Sequence, residues 1–237
     1  MQLRHLELNG GQVVAGEITR LILPQTMEGY ADAQIDDYGP ASDRKQYPWT
    51  PGTTLTIRTR FSHGRVDLKG TAGFGFWNAP FGDPTVRAPA LPQAAWFFYA
   101  SEPSDMPYTT GGPGRGWFAA TVDAGTPTAL LTAPLAPPVL LLNQSRRLRA
   151  RIWPWVRDRL QISYAPIDQP MTTWQDYKLH WKPDGCTFTI GRKVVLQTTY
   201  SPRGPLGFVC WIDNQYLIAT PTGRFRWGTL PTPHTQT

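Results

Sequence analysis

Cysteine is scarce. Cys186 and Cys210 are the only two in 237 residues, and they form neither a CxxC pair nor a disulfide framework. A small disulfide-stapled scaffold is therefore excluded. No apolar run approaches the roughly 18 residues of a membrane-spanning helix. The opening MQLRHLELNGGQVV lacks the charged, then apolar, then small-residue order of a secretory signal. The expectation is a cytoplasmic protein with free thiols. Several catalytic and metal motifs are missing as well. The four histidines, His5, His63, His180 and His234, have no spacing suited to a transition metal. There is no Gly-rich phosphate loop and no Gly-x-Ser-x-Gly elbow. No Asp-rich loop specifies calcium, although the acids present would permit a structural calcium ion. No other cofactor is expected. Glutamate is confined to Glu7, Glu17, Glu28 and Glu102.

Aromatic residues, by contrast, are abundant. They make up 12% of the chain, with ten tryptophans, and hydrophobic residues reach 41%. That is enough for a packed core and argues against disorder. The 22 glycines and 24 prolines suit a chain of many short strands joined by many turns. The formal net charge is +6, and the basic residues do not form one long block; the densest cluster is Arg146, Arg147, Arg149, Arg151, Arg157 and Arg159. Its plain reading is a solvated helix face; a phosphate or membrane-surface site is the alternative. No RNA-binding fingerprint accompanies it, so nucleic acid is not an expected partner.

Period-2 alternation dominates. Leu55, Ile57 and Phe61 share one face of a strand, with Thr56, Arg58 and Arg60 on the other. Residues 177–196 read as strand–turn–strand–turn–strand, with bends at Pro183-Asp184-Gly185 and at Gly191. Phe208, Cys210 and Ile212 point one way, Trp211 and Asp213 the other. Residues 126–138 are rich in proline and alanine, and Val139 to Leu160 reads as helical because Leu148, Ile152, Val156 and Leu160 recur every four positions. Pro154 should kink that helix or begin a second one. The chain is expected to be a single domain, 1–237, whose helical insertion, about 126–165, packs on a sandwich. An amphipathic helix lying on a membrane is the sharper alternative.

Trp174, Tyr177, Trp181, Pro183, Asp184 and Gly185, followed by Phe188, Ile190, Gly191 and Val194, resemble a segment of concanavalin A-like glucanases, nearest to glycoside hydrolase family 16. Gly73-Phe74-Gly75-Phe76-Trp77-Asn78 resembles the strand that precedes the catalytic one in that family, and Tyr30 to Tyr38 an early sandwich strand. The resemblance implies an all-β, two-sheet antiparallel jelly-roll sandwich with a concave ligand-binding face. It also exposes a departure. The family carries Glu-x-Asp-x-Glu on its catalytic strand, whereas the matching segment here, Gln93 to Ala100, holds no acid. Retaining hydrolysis needs two carboxyls about 5–5.5 Å apart. That mechanism is not carried over.

The expected ligand is therefore a glycan, or a small apolar or glycosidic molecule, held in an aromatic cleft. The candidate contacts are Trp77, Asn78, Trp96, Tyr99, Trp117, Trp211, Asp213, Asn214 and Gln215. Aromatic faces stack on sugar C–H groups while amides and carboxylates take the hydroxyls. Because Trp96 and Tyr99 alternate, only one of them can line that surface. The Asp213-Asn214-Gln215 trio could equally cap a turn. Asp213 is the candidate general base should the cleft house an enzyme of another class, a lyase, isomerase or cyclase. A third reading is an interaction module docking through the Arg-rich helix.

Overall fold

Strands form where the sequence alternates. A computed structural model describes residues 3–39, 41, 43–81, 88–106 and 114–237. The strands are β1 (Arg4–Leu8), β2 (Gln12–Val14), β3 (Arg20–Ile22), β4 (Asp32–Asp36), β5 (Thr53–Thr59), β6 (Thr71–Trp77), β7 (Gln93–Ala100) and β8 (Gly116–Asp123). After the insertion come β9 (Ser163–Pro166), β10 (Gln175–Lys182), β11 (Gly185–Ile190), β12 (Lys193–Thr198), β13 (Gly207–Asp213), β14 (Gln215–Ala219) and β15 (Phe225–Thr229). A seven-stranded antiparallel sheet runs β1-β4-β13-β6-β7-β8-β9, and a four-stranded one runs β12-β11-β10-β5. Two hairpins, β2–β3 and β14–β15, stand apart from them. The architecture is the two-sheet antiparallel sandwich with a helical insertion that the sequence predicts.

The period-2 pattern decides which side chains enter the space between the sheets. Phe74 and Phe76 of β6 and Phe97 and Tyr99 of β7 meet Tyr177 and Trp181 of β10 and Phe188 of β11 in one buried cluster. Their rings are close and mostly edge-on or tilted: Phe74–Tyr177 at 5.1 Å, Phe97–Phe188 at 5.3 Å and Phe76–Trp181 at 5.3 Å. Such geometry sets each ring's positive edge against a neighbour's negative face. The predicted meander is present, with β10 paired to β11 and β11 to β12. Gly191, in the bend between β11 and β12, has φ of +57°, a left-handed conformation that glycine adopts without steric cost.

The insertion departs from expectation. It comprises α1 (Pro127–Thr132), α2 (Ala136–Leu142) and α3 (Arg146–Arg159), all between β8 and β9. The helix runs through Pro154 without interruption, and the break falls earlier, at residues 143–145. Nor is the insertion packed down as the sequence suggests. Ala129 is the only buried residue of α1, Trp153 the only one of α3, and α2 has none.

Candidate functional site

The far side of the large sheet is its concave-face candidate. Asp32, Gln34 and Asp36 of β4 alternate away from Ala33 and Ile35, which enter the intersheet core. Val209 and Trp211 of β13, and Ala94, Trp96, Phe98 and Ala100 of β7, belong to a second buried cluster on this side, with Trp77 of β6 packed against it. Trp211 pairs across to Gly73, and Gly73 to Phe98; Gly75 pairs to Trp96. The three indoles gather over these glycines. Trp77 and Trp211 stack at 6.1 Å with planes 5° apart, and Trp96 lies 5.6 Å from Trp211. A methyl group on Gly73 would sit 2.3 Å from the Phe97 carbonyl oxygen and 2.9 Å from the Trp211 ring. The strand glycine is thus explained by the close backbone of β7 together with the indole above it. Gly73→Ala is expected to lower stability by about 1–3 kcal/mol through overpacking, read from the midpoint of urea unfolding.

This aromatic face is not an open floor. Trp96 is only 9% exposed and Trp211 only 8%. Tyr38, Tyr47, Met106, Ile162, Leu160 and Leu217 pack with them, so loops, the end of the insertion and the β14–β15 hairpin cover the strands. The indole N–H of Trp77 donates to the Tyr38 hydroxyl at 2.9 Å, and that of Trp211 to Thr71 Oγ1 at 2.9 Å. The Trp96 indole nitrogen is buried with no partner among the described residues.

At one end of the face two carboxylates meet. Asp213 of β13 pairs directly across to Asp32 of β4, which sets their β-carbons about 4.5–5.5 Å apart on one face. Asp213 Oδ1 accepts from the Thr71 N–H at 3.2 Å, the Thr71 hydroxyl at 2.8 Å and the Gln215 N–H at 3.0 Å. Burial outweighs these bonds and pushes the Asp213 carboxyl up to about 6. Burial, followed by the neighbouring Asp213 charge, pushes Asp32 higher, to about 8, against a hydrogen bond from Tyr30. Asp32 Oδ1 is buried without a partner, as suits a carboxyl that stays protonated at neutral pH. The Tyr30 phenol is itself raised by burial and by both carboxylates. Sequence reasoning singled out Asp213 and passed over Asp32. The available signal was the polar repeat Asp32, Gln34, Asp36 at every second position of one strand.

Several expected contacts lie elsewhere. Tyr99 and Trp117 point into the intersheet core, because their positions on β7 and β8 have the parity opposite to that of Trp96 and Phe98. The Tyr99 hydroxyl donates there to the Arg65 and Leu68 carbonyls. Asn78 is buried, giving its amide to the Leu91 carbonyl and accepting from the Gln93 N–H. Asn214 is buried too: its Oδ1 accepts from the Ala31 N–H, and its Nδ2 donates to the Gly29 and Leu230 carbonyls. These two buried amides tie loops together and are turned to the backbone rather than to an open surface. Gln215 is exposed, on the same face of the hairpin as Leu217 and the paired Trp227. Trp227 is 69% exposed, and its ring lies 5.4 Å from that of Phe225. Burial pushes the thiols of Cys186 and Cys210 up to about 12, so neither is a ready nucleophile. Among the described residues no three His, Cys, Asp or Glu side chains cluster as a metal site would require.

Fold and site together define an antiparallel β-sandwich with a covered aromatic face and a buried acid pair at its end. No family model matches the sequence, and no curated protein matches it. Among solved structures, the chain is similar to the transglycosylase Crh5 in complex with NAG, at 13% identity and a TM-score of 0.43, over 90% of this chain and 63% of that one. It is also similar to the carbohydrate recognition domain of Emp47p, at 11% identity and 0.42, over 99% and 86%. A third is a GlcNAcα1-4Gal-releasing endo-β-galactosidase from Clostridium perfringens, at 12% and 0.42, over 99% and 53%. The chain thus spans less than two thirds of the transglycosylase's length.

Proposed function

We propose that the protein binds a glycan or glycoside at the rim of the concave side and does not hydrolyse it by the family 16 route. The observation carrying this reading is the exposed ring pair Phe225 and Trp227 on a hairpin that folds over the aromatic face, with Gln215 diagonal to Trp227 on the same side of it. Exposed rings next to a free amide offer both a stacking plane and a hydroxyl partner. Leu217, opposite Trp227 on the hairpin, packs against the cluster that holds Trp96 and Trp211. The positions of β7 that face this side are Ala94, Trp96, Phe98 and Ala100, so the strand that bears acids in the resembling hydrolases offers none. A panel of β-glucans and amino-sugar oligosaccharides, read by tryptophan fluorescence and calorimetry, tests this. Trp227→Ala should weaken binding about tenfold or more, given the usual worth of a stacked ring. A folded protein that binds no member of the panel would sink the idea.

A second reading rests on the acid pair. One carboxyl held protonated and another titrating near neutrality are the ingredients of acid–base chemistry on a ligand. Asp213→Asn and Asp32→Asn should then each abolish turnover while leaving glycan affinity within about threefold, since neither removes a stacking ring. Turnover that survives both substitutions removes the pair from any mechanism.

A further inference from the structure

The helical insertion has the wrong surface for solvent. In a globular protein an apolar helix is normally buried, yet α2 reads APPVLLL and buries none of its residues. Leu131 of α1 is 80% exposed and Leu141 of α2 is 74% exposed; Leu130, Leu142 and Leu148 are exposed as well. Trp155 of α3 joins them, with the Arg159 guanidinium over its ring at 5.2 Å. Two shallow apolar grooves adjoin these helices, one of about 330 Å³ between them and the turn of the β14–β15 hairpin and one of about 410 Å³ among the helices, and Leu135 and Trp155 line both. The apolar surface is therefore continuous, and larger than the scattered exposed leucines of an ordinary monomer.

Charge says what covers it. The insertion carries six arginines against a single acid, Asp158, and so accounts for nearly all of the chain's formal charge of +6. Arg146, Arg147 and Arg151 are exposed and have no carboxylate partner among the described residues. A second copy of the chain would set one arginine cluster against another, which disfavours self-association through this face. The geometry points to an anionic lipid surface as the occupant. Leucines and Trp155 would enter the interface while the arginines extend along their aliphatic stems to the headgroups. Among the described residues no helix is long and apolar enough to cross a membrane, so these helices would lie in the interface rather than span it.

The test uses the full chain with sedimented vesicles of phosphatidylcholine, with and without phosphatidylserine, at low and high salt. Binding should require phosphatidylserine and fall at high salt. Each exposed arginine near an anionic surface is worth about fivefold in partitioning, so replacing Arg146, Arg147 and Arg151 together by alanine should weaken it about a hundredfold. Leu131→Asp with Leu141→Asp should abolish it. Both variants alter only exposed side chains, and circular dichroism would show that they remain folded. Failure to sediment with phosphatidylserine vesicles at low salt would overturn the proposal. So would equal binding to both lipids that the arginine variant leaves unchanged, or a dimer that the leucine variant disperses.

Discussion

Replacing Trp181 by alanine is expected to cost about 3–5 kcal/mol, the range for deleting a large aromatic side chain from a core. Trp181 has no exposed surface and lies 5.3 Å from Phe76 across the sheets. Its indole N–H donates to the Pro202 carbonyl at 3.0 Å and to the Ser201 hydroxyl at 3.1 Å, tying the loop after β12 to the sandwich. Alanine would leave both a cavity and an unpaired acceptor. Trp181→Phe weights the two effects differently, because it keeps a six-membered ring in the core while losing the donor and a smaller volume, at about 1–3 kcal/mol. Urea unfolding should rank native above phenylalanine above alanine. A loss under about 1 kcal/mol for alanine would contradict the packing described for this residue.

The second large effect concerns pH. In the unfolded chain Asp32 loses its proton near 3.8, whereas in the fold it holds the proton until about 8. Between those values the unfolded state binds fewer protons, so stability falls as pH rises through the window. Asp213 adds to the same trend only up to about 6. The contribution is intact below pH 4 and has been lost above about 8. Each unit of displacement corresponds to about 1.4 kcal/mol, and Asp32 is displaced further than Asp213. Asp32→Asn cannot ionise, so its stability should decline only through Asp213, up to about pH 6, and stay nearly level above it, where that of the native protein goes on declining. Unfolding midpoints measured from pH 4.5 to 8 should diverge steadily, with the variant the more stable at the alkaline end. Parallel curves would show that Asp32 ionises normally in the fold.

The core aromatics and turn glycines of the meander, which carry much of the family resemblance, are fold machinery. Tyr177, Trp181 and Phe188 fill the intersheet core, Gly185 and Gly191 flank the meander's bends, and none of them reaches the aromatic face. A motif of alternating aromatics and turn glycines is legible in sequence because strand period and turn sterics are local rules. The same rules correctly divided Phe208, Cys210 and Ile212 from Trp211 and Asp213. Site membership was harder to read. Asn78 and Asn214 are well suited to hydroxyl contacts in sequence, yet both are consumed by backbone groups from distant loops. Asp32 was missed because its significance comes from a strand 181 residues further on.

By itself, then, the sequence determined the all-β class, the β10–β12 meander, the division of Phe208, Cys210 and Ile212 from Trp211 and Asp213, and the absence of acids on the strand that resembles a catalytic one. Those properties follow from alternation and residue type within a few positions. Only the tertiary structure decided that the aromatic face is covered, that Asp32 opposes Asp213, and that the insertion leaves its leucines in the open. Each of these depends on which segments far apart in the chain come to lie together. Burial and long-range pairing are set by the whole packed molecule, and no local window of sequence contains them.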